Sequence, residues 1–312
     1  MGDVRSKYDL IVIGAGPAGL TAGIYAGRYR LKTLIIGQIN GGLMIEAHKI
    51  CNFPTEKDIS GFELGGKMSA NATAQGVEIL NAPVKNIQKT SNGFEVWAAD
   101  QKSFTTKTLL IAWGTEHRQL HLEREQELLG RGISYCATCD GMFYKDKTVA
   151  VIGGGNSALT AALYLSEIAK RVYLLYRGEK LPGEPAWVET VSQEKKIEII
   201  LNTEIIELKG EKKIEMVALN RPYQNKELLA LDGIFVEIGT EPKQYDYLNQ
   251  LKIERNENGY IKIDRAQKTT AEGIWAAGDI TTGSNNFRQI ITAAAEGAIA
   301  ADAIFKYLKM NG

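Results

Sequence analysis

Cysteine and histidine are scarce, with three of each in 312 residues, the cysteines being Cys51, Cys136 and Cys139. So small and odd a number excludes a secreted scaffold held together by disulfides. It fits a chain in a reducing compartment where one close pair does chemistry, and the expected location is cytoplasmic. Net charge is also missing, since Lys plus Arg and Asp plus Glu both number 37. That balance gives no support for nucleic acid or an anionic membrane as a partner. No run of about 18 uncharged apolar residues occurs, so no membrane span is expected. Residues 1–7 are polar and lead straight into the apolar run 10–13, which is not the order of a signal peptide. The length suits about two domains.

One local pattern occurs twice. Residues 8–13 are apolar, Gly14-Ala15-Gly16-Pro17-Ala18-Gly19 follows, then a helical stretch at 20–29 and a strand at 33–36. Residues 148–152 are followed by Gly153-Gly154-Gly155-Asn156-Ser157-Ala158, a helical stretch at 159–168 and a strand at 171–175. Strand, glycine turn, helix and strand make a βαβ unit, so each copy predicts a parallel sheet. The first glycine permits the tight turn, the second lets backbone approach a pyrophosphate, and the third position (Gly19, Ala158) lets helix and strand pack closely. The helix start then offers free N–H groups and a positive dipole end to phosphate. One such motif is a weak signal, but two in the right strand–helix context are much stronger. They imply two dinucleotides, or one and a degenerate site. Neither copy carries the acid that reads a ribose after the second strand: Gly37-Gln38 stands there in one, Tyr176-Arg177 in the other. Arg177 reads either as a 2′-phosphate contact or as a solvated surface residue. Further on, a strand is expected at 233–238, a short alternating strand at 259–263, and an apolar strand ending in Gly278-Asp279. An Ala-rich helix is expected at 290–308, with Gly297 inside. Asp279 suits a hydroxyl contact to a polyol or ribose, or a plain turn cap.

The most informative tract is Cys136-Ala137-Thr138-Cys139-Asp140-Gly141. Its C-x-x-C spacing allows a small-loop disulfide, and a helix starting there lowers the first thiol's pKa. A zinc site needs two more soft ligands. Only Cys51, His48, His117 and His121 remain, none at zinc spacing, and no metal is expected. Asp140 could protonate a departing thiolate or cap the next helix.

The first glycine motif, CATCDG at 136–141, GGGNSA at 153–158, and AAGD followed by Arg288-Gln289-Ile290 occur in one order that resembles the low-molecular-weight thioredoxin reductases. The resemblance covers nearly the whole chain. It implies an α/β protein of two Rossmann-like nucleotide-binding domains, the second inserted into the first. The FAD domain would take 1–116 and 245–312, and the nicotinamide-nucleotide domain 117–244. It implies a homodimer. It makes Cys139 the thiol against the flavin, Cys136 the outer thiol that attacks substrate, and Asp140 the general acid. It assigns Gly14, Gly16, Pro17, Ala18, Gly19, Gln38, Gly42, Leu43, Asn52, Gly114, Gly278, Asp279, Arg288, Gln289 and Ile290 to FAD. Gly153, Gly155, Asn156, Ser157, Ala158 and Arg177 fall to the nicotinamide nucleotide. The glutathione-reductase type is disfavoured, because only Cys51 lies near the first motif and no histidine follows His121.

Departures from the family pattern concern the electron donor. NADPH-using members carry a cluster like His-Arg-Arg-x-x-x-Arg after the second strand, where this chain has Tyr176-Arg177-Gly178-Glu179-Lys180-Leu181-Pro182. Arginine is the side chain best matched to a phosphate, so NADPH, NADH and a ferredoxin without nicotinamide all stay open as donors. Trp113 replaces the Thr of Ala-Thr-Gly, and Cys51, read as an inert thiol, replaces a Glu. The expected activity is two-electron reduction of the Cys136–Cys139 disulfide through FAD, and from there of thioredoxin or a related dithiol protein. The rivals are a flavin reductase or oxidase, and a redox-sensing module that does not turn over. The resemblance also implies a domain rotation with hinges near 115–118 and 241–245.

Overall fold

The apolar runs beside the glycine motifs are strands buried on both faces, which is what a parallel sheet covered by helices requires. Leu10, Ile11 and Val12, and likewise Val149, Ala150 and Val151, are completely buried. The computed structural model describes residues 7–99 and 102–311. These divide into two compact units: one of residues through Ile45, Ile50–Glu116 and Pro242 onward, the other of Glu46–Lys49 and His117–Glu241. The fold is α/β, with a Rossmann-like sheet in each unit and the second unit inserted into the first.

In the first unit the sheet order is Glu78–Asn81, Thr33–Gly37, Lys7–Ile13, Ser103–Ile111, Gly93–Ala98, Val84–Thr90. The first four run parallel, and the last two form an antiparallel hairpin on Ser103–Ile111. Ile274–Ala276 joins the far half of Ser103–Ile111, with Ala276 opposite Ile111. Helix Pro17–Arg28 begins with proline at its first turn, where a missing N–H costs nothing. It packs on the C-terminal helix Ile290–Asn311, where a Cβ added at Gly297 would lie 2.1 Å from the Ala18 carbonyl oxygen.

In the second unit the parallel order is Ile197–Leu201, Arg171–Tyr176, Thr148–Ile152, Gly233–Val236, Ile133–Ser134. Beside it stands an antiparallel sheet of Ile205–Lys209, Met216–Tyr223 and Lys226–Ala230. The two chain crossings, Thr115–His117 and Thr240–Pro242, pair with each other, and the Arg118 N–H donates to the Gly239 carbonyl at 3.0 Å.

Some elements depart from expectation. Residues 259–263 form no strand: Ile261 alone makes bridges, to Arg255 and Thr281. Gly259 has φ +84°, and Asp264 turns the chain by accepting from the Ala266 and Lys268 N–H groups. The strand expected at 233–238 ends at Val236, and the last helix runs on to Asn311. Among the described residues no helix is long and apolar enough to cross a membrane.

Candidate active site

Ligands of open α/β sheets bind outside the carboxyl ends of the strands. In the first unit those ends carry Gly14, Gln38, Ala112-Trp113-Gly114 and Gly278-Asp279. Gly14 has φ +117°, and a Cβ there would lie 2.3 Å from the Ala112 carbonyl oxygen. Gly16 differs, since its Cβ would meet nothing nearer than 4.0 Å. Helix Pro17–Arg28 has no side-chain cap, so its leading N–H groups are free for a ligand. This open cradle, at the start of an uncapped helix, is what a pyrophosphate requires. Ala18 and Gly19 are buried in helix packing and reach a ligand through backbone alone. Gly42 and Leu43 open the 3-10 turn Gly42–Glu46, and Gly42 lies against Gly16.

At the other rim Asn52 donates to the Gln289 side chain at 3.1 Å. Arg288 stacks on Tyr260, 4.0 Å from its ring centre, and donates to the Asp279 carbonyl at 3.3 Å. Burial pushes the Asp279 carboxyl up to about 6, against the opposing pull of Arg288. Glu296, which nothing in the local sequence marks, holds this corner together. This buried carboxylate accepts from the Gly278 N–H at 2.8 Å, the Thr281 hydroxyl at 2.9 Å and the Ser284 hydroxyl at 2.5 Å.

The second motif repeats the geometry. Gly153 has φ +139°, and its Cβ would lie 2.1 Å from the Glu237 carbonyl oxygen. Gly155 is open, with nothing within 4 Å, at the uncapped start of helix Asn156–Ile168. Asn156 is fixed by Glu184, donating to its carboxylate at 2.9 Å and accepting from its N–H at 2.7 Å. Ala158 is buried, while Ser157 and Arg177 are exposed. The Tyr176 ring lies across the glycines: Cβ atoms at Gly154 and Gly178 would approach it to 2.7 and 2.6 Å.

The cysteine tract follows strand Ile133–Ser134 at the same carboxyl edge. Cys136 and Cys139 form a disulfide with Cα atoms 5.3 Å apart. Cys136 caps the short helix Ala137–Asp140, its sulfur accepting from the Cys139 N–H at 3.1 Å. Buried Ser134 fixes the cap, taking the Cys136 N–H at 3.0 Å. Cys139 is exposed and Cys136 half-buried. Asp140 makes no side-chain cap to the following turn, so capping does not occupy its carboxyl. Tyr135 donates to buried Glu125 and stacks on His117 at 5.6 Å. His117 pairs with Glu46 at 2.8 Å, and that hydrogen bond raises the imidazole pKa despite burial. Cys51 is free and exposed, in the first unit.

Two uncapped glycine turns and a disulfide at a parallel-sheet edge define a class, and comparison with known proteins agrees. The family model described as pyridine nucleotide-disulphide oxidoreductase matches residues 8–297, and the chain belongs to that family. Within it, the chain is similar to a thioredoxin reductase of Listeria innocua, 36% identical over 312 residues that span 99% of this chain and 96% of that relative. Its structure is similar to the thioredoxin reductase of Lactococcus lactis (FR conformation), with a TM-score of 0.91 at 35% identity over 97% of this chain and 99% of the other. It is also similar to a ferredoxin-flavin thioredoxin reductase from Clostridium acetobutylicum, with a TM-score of 0.52 at 29% identity over 98% of this chain and 99% of that one.

Proposed function

We propose that the chain is a thioredoxin-disulfide reductase that passes two electrons through FAD to the Cys136–Cys139 disulfide, and on to thioredoxin or a similar dithiol protein. The observation that carries this reading is the exposed disulfide at the edge of a sheet that also holds a nucleotide turn. FAD, when bound, supplies two-electron exchange between a donor and this disulfide. Gly16 and the free N–H groups after it would hold its pyrophosphate, and Asp279, Gln289 and Asn52 the opposite rim. The pyridine nucleotide would lie on Gly155 and the start of helix Asn156–Ile168.

The chain's own residues then do thiol chemistry. With the disulfide open, Cys136 at the helix cap would be the attacking sulfur, already accepting from the Cys139 N–H. It attacks one sulfur of the substrate disulfide and the other leaves as a thiolate, which Asp140 would protonate. Cys139 attacks the mixed disulfide, restoring the Cys136–Cys139 bond and releasing the reduced dithiol. Electrons balance: one disulfide is reduced as the other forms. The enzyme acts in the cytoplasm as a homodimer. A ferredoxin donor is a second reading, favoured by the reduced arginine set after Tyr176 and by the likeness to a ferredoxin-flavin enzyme.

The test is thioredoxin reduction by Cys136→Ser and Cys139→Ser. Each is expected to retain bound FAD and lose at least about a thousandfold in turnover, as loss of a covalent catalytic group does. Thioredoxin reduction surviving in either variant would mean that the pair is not the catalytic relay.

A further inference from the structure

The second unit's sheet order fixes which end of a dinucleotide lies where. The motif strand Thr148–Ile152 has Arg171–Tyr176 on one side and Gly233–Val236 on the other, all parallel. A dinucleotide whose pyrophosphate rests at Gly155 directs its adenosine over the strand after the first helix, here ending at Tyr176-Arg177. Its second nucleoside is then directed to the opposite side, over the end of Gly233–Val236. Glu237 stands there. Its N–H donates to the Ile152 carbonyl at 2.8 Å, and its carbonyl backs directly on Gly153. Its side chain is half-buried.

The carboxyl has no hydrogen-bond partner among the described residues, although His117 and Glu46 act on it through their charge. His117 is already committed to Glu46. A carboxyl in such a place is costly unless something donates to it. The polar handle of a nicotinamide ring is its carboxamide, whose NH₂ carries two donors and whose oxygen is an acceptor.

We propose that Glu237 accepts a hydrogen bond from the carboxamide NH₂ of the bound pyridine nucleotide and so selects that ring. The proposal rests on the reading that this unit takes a pyridine nucleotide. It makes Glu237 a specificity residue for the nicotinamide end, separate from the residues that hold the pyrophosphate. Burial, which pushes the Glu237 carboxyl up to about 7, agrees with a group that lacks a donor until ligand arrives.

The experiment uses equilibrium binding to the FAD-loaded chain, followed by calorimetry. The probes are NAD⁺ and NADP⁺, and their 3-acetylpyridine analogues, which replace the carboxamide by a ketone without N–H. The fragments 5′-AMP and 2′,5′-ADP report the adenosine half. Wild type is expected to prefer the carboxamide form by roughly tenfold or more, the size of one hydrogen bond to a charged group. Glu237→Leu brings the ratio to about one, and Glu237→Gln, a neutral acceptor, leaves it between, with fragment binding unchanged in both. An unchanged ratio in Glu237→Leu overturns the proposal and leaves the nucleotide reading intact. If Glu237→Leu loses fragment binding, the wild-type ratio decides, and a value near one overturns it. A wild type that binds no dinucleotide and no fragment overturns both.

Discussion

At the scale of single residues, the unusual feature is a carboxyl, Glu237, whose pKa is raised to near neutrality. Burial raises Glu237 from an ordinary 4.5 to about 7, and Glu46 adds to the rise while His117 opposes it. A group whose pKa is higher folded than unfolded favours folding while both states are protonated. That advantage is lost as pH rises from the unfolded value through the folded one. The span from 4.5 to about 7 corresponds to roughly 3 kcal/mol at most. Glu237→Gln is therefore expected to match wild type in Tm near pH 4.5 and to exceed it at pH 8. Parallel Tm curves for the two proteins across that range would refute this account. The same substitution weakens selection of the carboxamide, so stability and recognition pull against each other at this position. Glu237 was not legible in the sequence as a site residue, because its meaning depends on which strand lies beside Thr148–Ile152. Glu296 was hidden for the same reason: it sits mid-helix and acts on a turn 12 to 18 residues earlier.

At the scale of elements, the contact between helices Pro17–Arg28 and Ile290–Asn311 puts both ends of the chain into one site. It depends on Gly297, whose Cβ would meet backbone, which cannot give as a flexible side chain does. Gly297→Ala is expected to lower stability by about 1–3 kcal/mol and to weaken FAD retention, read as the flavin-to-protein absorbance ratio after gel filtration. Gly66, within helix Gly61–Ala74, is the control, since a Cβ there meets nothing within 4 Å. Gly66→Ala is expected to be neutral or stabilising by up to about 1 kcal/mol. Equal losses in the two variants would remove close helix approach as the cause. The βαβ units were legible because strand, glycine turn and helix are adjacent in sequence and the pattern is local. Residues 259–263 read as a strand from alternation alone, yet only Ile261 finds partners, because alternation does not say whether a neighbouring strand exists. The units meet at Glu116/His117 and Glu241/Pro242, where the crossing strands Thr115–His117 and Thr240–Pro242 pair.

At the scale of the whole molecule, the proposed path brings electrons in over one sheet edge and takes them out through a disulfide on that same edge. On that proposal the donor would be read where the adenosine ends, at Tyr176-Arg177. Arg177 and Lys180 are the exposed cations of that loop, and Glu179 offsets one of them. Without a bidentate arginine set, discrimination by a 2′-phosphate is weak. Anaerobic titration of the flavin absorbance is expected to give NADPH and NADH midpoints within about tenfold of each other. A hundredfold gap, or bleaching by reduced ferredoxin alone, would contradict it. The insertion of one unit into the other also orders events during synthesis. Strand Ser103–Ile111 waits for Ile274–Ala276 to pair with it, whereas everything the inserted unit needs has been made by Glu241. Domains usually fold in the order in which they leave the ribosome, but here the inner one is complete first. Once folded, it holds its own two ends side by side and shortens the loop that the outer sheet must close, which lowers the entropy cost by on the order of 1 kcal/mol.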